Sequence, residues 1–188
     1  MSPHLASYLL LLVGALCFGA GIMSPAWNET PWVTIGAVKV KTWMGPWWSC
    51  NYFNQQTPSP DSCSPITIAQ PFVVDQLLFL ALTAVSTLCY IVAIIMGSAL
   101  ICCCKSPHAV SKWSVVSMFA MIAGMSGLGA VIKFAMTQST NAYIFGFYLA
   151  MGGAFLGVFS SVNLARLHRP QSRSRVTSFP KRGYNSDF

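Results

Sequence analysis

Four apolar runs, over residues 8–23, 72–101, 113–136 and 143–164, dominate this sequence. A helix needs ~20 residues to cross the hydrocarbon of a bilayer. With their flanks, the runs predict spans at 8–26, 72–101, 113–136 and 142–165. The chain is 54% hydrophobic and 8% charged, where soluble domains carry about 25% charged residues. A chain of 188 residues cannot hide so much apolar surface in one aqueous core. The runs are rich in Leu, Ala, Gly and Met and lack the alternation of a membrane barrel, so helices are expected. Gly19-Ala20-Gly21 also suits a cleaved signal peptide, but no Lys or Arg precedes the first run. On either reading the next segment lies outside.

Basic residues set the orientation of membrane helices. Lys105, Lys112, Arg166, Arg169, Arg173, Arg175, Lys181 and Arg182 fall on one side, eight of the eleven Lys and Arg. That side is expected to be cytoplasmic, with a seven-residue N-terminus and a disordered basic tail at 166–188. The formal charge of +7 comes largely from the tail, which argues for anionic lipid as its partner and against nucleic acid. The expected site is the plasma membrane.

The segment 27–71 is the only soluble-looking unit. Val38, Val40 and Thr42 alternate with Lys39, Lys41 and Trp43, the period of a strand. Gly36 is placed to bend or bulge the chain between two strands. Residues 51–62 are turn-rich, with a strand expected only at Tyr52-Phe53. The whole predicts a membrane bundle of four helices with a small antiparallel sheet on their outer ends. Cys50 and Cys63 lie in this outer segment, where a disulfide can form. The connectors at 102–112 and 137–141 are short, and the second leaves almost no room for structure.

The spacing Trp43-x-Gly45-x-Trp47-x-x-Cys50…Cys63 resembles the claudin signature W-x-G-L-W-x-x-C…C, and lies where that signature belongs, between spans one and two. Pro25-x-Trp27, Lys112 at the third span, Tyr143-x-Phe145-Gly146 and Gly152-Gly153 also look claudin-like. The wider superfamily includes peripheral myelin and epithelial membrane proteins, and auxiliary subunits of calcium channels and glutamate receptors. The resemblance implies a left-handed four-helix bundle capped by an extracellular sheet. It also implies that Cys50 pairs with Cys63, and that Trp27, Trp43, Gly45 and Trp47 brace the sheet against the membrane. The implied function is structural: side-by-side self-association at cell–cell junctions, forming or tuning the paracellular barrier. The alternative it offers is an auxiliary subunit of a channel, receptor or adhesion complex. Pro46 stands where the signature has leucine and is expected to cost a strand one backbone donor. The second outer connector is shorter than in typical claudins, and the stretch 67–80 has Asp75 but no Arg.

Several other residues invite a role. Lys39 and Lys41 are candidates for ion selectivity, opposed by Glu29 and Asp61 in the same outer segment. Lysines also guard strand edges. Asn28-Glu29-Thr30 is an N-glycosylation sequon, placed so close to the first span that the bilayer competes with a glycan for space. Cys102, Cys103 and Cys104 border the inner leaflet beside Lys105, as S-palmitoylation sites do; the alternative is three plain thiols. Ser186 and Phe188 fit a PDZ-binding terminus that pairs by strand addition. Asp75 and Lys133 could pair at the outer ends of spans two and three, or Lys133 could snorkel. Of the tryptophans, Trp27, Trp43 and Trp47 read as interfacial anchors that also pack the sheet, and Trp48 as the one most exposed and free for a partner. Gly14, Ala15, Gly19, Ala120, Gly124, Gly127, Gly153 and Gly157 read as packing surfaces. The sequence holds no acid pair, activated nucleophile, phosphate loop or metal cluster. Neither an enzyme nor a cofactor is expected.

Overall fold

In the computed structural model, residues 3–53, 62–65, 73–103, 109–137 and 142–167 are described. Cys104, Lys105, Asp61 and the tail with Ser186 and Phe188 lie outside these residues, as do the side chains of Asp75 and Cys103. Helices α1 Pro3–Met23, α2 Val73–Cys103, α3 Ala109–Thr137 and α4 Phe145–Leu167 form a bundle. All four are long and apolar enough to cross a membrane, so the chain is a multi-pass membrane protein. Their outward faces carry Leu16, Leu88, Ile95, Met125 and Phe155, all exposed. An apolar surface of this extent on helices of spanning length suits lipid.

Small residues set how closely the helices approach. α1 packs along α4, α4 along α3 and α3 along α2, while α1 and α2 barely meet. A β-carbon at Gly14 would lie 3.0 Å from the Gly153 carbonyl oxygen, and one at Gly124 would lie 2.7 Å from the Val158 backbone nitrogen. Gly19 and Gly152 are exceptions, since both positions are open. Hydroxyls cross these close contacts. Ser86 donates to the Ala123 carbonyl at 2.8 Å, Tyr90 to that of Gly153 at 3.0 Å, and Ser117 to that of Ser161 at 2.8 Å. Tyr8 bridges the sparse α1–α2 seam. Its hydroxyl reaches the Ile94 carbonyl at 3.2 Å and the Ser98 hydroxyl at 2.5 Å.

Among the described residues the sheet has six strands: β1 Asn28–Glu29, β2 Val33–Ile35, β3 Val38–Met44, β4 Trp48–Phe53, β5 Ser62–Pro65 and β6 Ala142–Tyr143. They run antiparallel in the order β5-β4-β3-β1-β6, with β2 beside the first half of β3. The expected alternation from Val38 is the long strand β3. β4 begins at Trp48, four residues before the expected Tyr52, because the disulfide partner β5 supplies its second neighbour. Pro46 sits in the turn between β3 and β4, where Gly45 N–H donates to the Trp48 carbonyl at 2.8 Å. It therefore takes no donor from the ladder, contrary to the sequence expectation. Gly36 adopts φ 64° in the β2–β3 turn, a left-handed conformation that suits glycine.

The helix limits also differ from expectation. α1 begins at Pro3 and stops at Met23, so residues 24–27 are its lead to the sheet. Residues 142–143 form a strand, and α4 begins at Phe145.

Candidate functional site: the sheet seated on the helix ends

Strands β1 and β6 join two chain crossings that sequence alone leaves unconnected. Asn28 pairs with Tyr143 and Glu29 with Ala142. Ile144 N–H donates to the Trp27 carbonyl at 3.0 Å, and Gly146 N–H to that of Ala26 at 2.7 Å. The exit of α1 is thus tied to the start of α4. The Tyr143 hydroxyl donates to the Ala135 carbonyl at 2.8 Å, which adds α3. At two residues β6 is too short for a periodic signal, and the sequence pattern puts both residues in the fourth expected span.

Trp27 lies under this junction. It is fully buried, with Phe79, Phe134 and Phe147 edge-on around it at 6.1, 4.7 and 5.8 Å between ring centroids. Its indole N–H donates to the Gly21 carbonyl. It is therefore a core residue that locks three helices beneath the sheet: the packing expected of it is present, while full burial takes it out of the interfacial layer. Trp47 follows from above, its ring 6.3 Å from that of Phe79. Trp43 packs on Tyr52 at 4.6 Å within the sheet. Partial burial raises the Tyr52 phenol above its ordinary pKa. Trp48 remains 44% exposed. Gly45 is held without room, since a β-carbon there would lie 2.5 Å from the Ser24 carbonyl oxygen.

Cys50 and Cys63 are joined as a disulfide and are direct cross-strand partners in β4 and β5. The half-cystine at 50 is buried and that at 63 is exposed.

The sequon is built into the sheet. Asn28 is fully buried, and neither side-chain polar atom has a hydrogen-bond partner. A glycan on its amide would require β1 to leave the sheet, so the folded chain does not present this site. Thr30 has a structural task. Its N–H donates to the Thr42 carbonyl at 3.0 Å, and its hydroxyl accepts from the Thr42 N–H at 2.9 Å. The hydroxyl stands in for a ladder carbonyl where Pro31 breaks the strand between β1 and β2.

The two candidate selectivity lysines differ. Lys41 forms an ion pair with Glu29 at 2.6 Å and lies 5.7 Å above the Trp32 ring. Lys39 is exposed on the neighbouring position of β3, opposite Thr34. Cys102 is exposed at the far end of α2, and Cys17 and Cys89 are partly buried in the bundle. Among the described residues no group of three His, Cys, Asp or Glu is placed to hold a metal ion. Two apolar grooves flank α4, one beside Leu128, Ile132 and Met136, the other beside Cys17, Gly152 and Phe159. Neither gathers the convergent polar groups of a substrate site.

Set against known protein families and against curated proteins, the chain finds no match.

Proposed function

We propose that the chain is a claudin-like tetraspan of the plasma membrane, with the sheet outside and both termini cytoplasmic. It associates side by side with its own copies and forms or tunes the barrier between neighbouring cells. The observation that supports this reading best is the way the signature residues act together. Trp43, Gly45, Trp47, Cys50 and Cys63 form one unit, in which Gly45 closes onto Ser24, Trp47 onto Phe79, and Cys50 onto Cys63. A rigid outer sheet on a lipid-embedded bundle suits a structural role. The excess of Lys and Arg at the opposite ends of the helices supports the orientation. The exposure of Cys102 there supports S-palmitoylation at that end.

The test is expression in cells that lack junctional strands, with freeze-fracture microscopy and transepithelial resistance as readouts. Strands or raised resistance are expected; smooth fracture faces with unchanged resistance would sink the junctional reading. One observation favours a second reading, an auxiliary subunit of a channel, receptor or adhesion complex. Ala142–Tyr143, which closes the short α3–α4 connection, is drawn into the sheet as β6 beside β1, and a connector of that length offers little chain for contact with an opposing cell. Stable copurification with a channel or receptor, without strands, would select that alternative.

A further inference from the structure

The helix ends fix where the hydrocarbon stops on the sheet side. Met23 is 72% exposed, Leu77 63%, Met136 72% and Phe145 69%, one at the sheet-side end of each helix. Leaving four such side chains in water forfeits about 1.5–3 kcal/mol each, so the apolar slab reaches their level. The β3–β4 turn meets that level directly. A β-carbon at Gly45 would lie 2.7 Å from the Pro25 Cα, two residues beyond Met23. The Trp47 ring contacts Phe79 at 6.3 Å, two residues into α2 from Leu77. The Trp48 carbonyl accepts from the Gly45 N–H at 2.8 Å, so its backbone belongs to the same turn. The polar zone of one leaflet is roughly 5–7 Å deep, taking half the difference between the full bilayer and its hydrocarbon. The turn that carries Trp48 is seated on the chain just beyond the end of α1, beside that zone. It is 44% exposed, and its partner across the ladder is Pro65, also exposed.

We propose that Trp48 is a lipid anchor, its ring lying among the ester and headgroup atoms of the outer leaflet and fixing the sheet to the membrane surface. An indole matches that layer because its body is apolar and its N–H can donate to ester or phosphate oxygens. The neighbours of Trp48 in the turn are seated on the helix ends, Gly45 against Ser24 and Pro25 and Trp47 against Phe79, which favours lipid over a water-borne protein as the occupant. The proposal rests on the helices spanning a bilayer and not on any junctional activity, so either can fail alone.

The experiment uses the full chain reconstituted in phosphatidylcholine vesicles, comparing the native protein with Trp48→Phe. Tryptophan emission is quenched in three arms: lipid brominated near the ester end, lipid brominated near the methyl end, and aqueous iodide. The expected result is that Trp48→Phe loses emission quenched by the ester-end bromine, with the iodide-quenched share unchanged. Trp48→Tyr repeats the test with an amphipathic ring retained, and both variants are first checked for the Cys50–Cys63 bond. If the emission lost on substitution is the iodide-quenched share, Trp48 faces water and a protein partner, and the proposal is overturned. Equal quenching of native and variant chains by ester-end bromine overturns it too.

Discussion

The root and the tip of the sheet are built from the same strand, β3, yet are held in different ways. At the root, Trp43 and Met44 pair with β1, and the chain beneath them is pinned to α1, α3 and α4 through Trp27, Gly146 and Tyr143. At the tip, Val38 to Val40 pair with β2, where Val33 and Ile35 are exposed and a side chain added at Gly36 would meet open space. A two-stranded hairpin is marginal by itself. The root borrows its stability from the bundle, while the tip has its own ladder and its connection to β4. The difference implies that local opening should begin at the tip and that damage at the root should spread into the helices.

The largest effect is expected at Trp27. Truncating a fully buried aromatic costs about 3–5 kcal/mol. Trp27→Ala should lower the thermal midpoint in detergent by the widest margin and expose β1 and β6 to hydrogen exchange. β2–β3 should keep whatever protection it has. Uniform loss across all six strands would show one cooperative unit and erase the contrast.

The disulfide comes next. Its half-cystines are separated by 13 positions, and closing a loop of that size is worth about 3 kcal/mol in the chain-entropy account. A double Cys50→Ala, Cys63→Ala variant should release β5 first, since all four of its residues are exposed. Proteolysis should then cut between β4 and β5 while the root stays protected. An uncut chain with an unchanged midpoint would mean that β5 is held by something other than the bond.

Two glycines then separate crowding from backbone strain. At Gly45 an added methyl meets the Ser24 carbonyl and Pro25, and overpacking of this kind costs about 1–3 kcal/mol. At Gly36 there is open space but φ is 64°, and a left-handed alanine costs about 1–2 kcal/mol. Gly45→Ala should lower the midpoint of the whole protein. Gly36→Ala should act on the exchange of β2–β3 alone. Equal effects on all strands from both would again remove the distinction.

Much of this was legible in the sequence, for physical reasons that differ by region. The helices show through because lipid demands an apolar residue at nearly every position, so composition alone marks them. β3 shows through because Lys39 and Lys41 alternate with Val38 and Val40. What failed to show depends on contacts between distant parts of the chain. Nothing local marks Ala142–Tyr143 as a strand; only its pairing with Asn28–Glu29 makes it one. Trp27 reads as interfacial because it follows a span, and phenylalanines from α2, α3 and α4 turn it into core. Asn28-Glu29-Thr30 read as a modification signal, because a sequon has no way to report burial. Pro46 read as a ladder defect until the turn that holds it was placed.

The smallest effect tests how the two regions share charge. Lys41 lies between root and tip, and its ammonium is 2.6 Å from Glu29 of β1. Their side chains are 19% and 28% exposed, so the pair is partly shielded from salt, and a contribution of about 0.2–1 kcal/mol is expected. A double-mutant cycle with Lys41→Ala and Glu29→Ala, read by thermal midpoint, should give a coupling in that range that shrinks in high salt. The same pairing bears on ion preference if the chain does line a paracellular path. A cation held against a carboxylate presents little net field to a passing ion. Removing both partners should therefore leave anion-to-cation permeability close to native, whereas Lys41→Ala alone should unmask Glu29 and shift it toward cations. A shift toward cations in the double variant as large as in the single one would show that Lys41 acts on ions directly, and that its bond to the root is incidental.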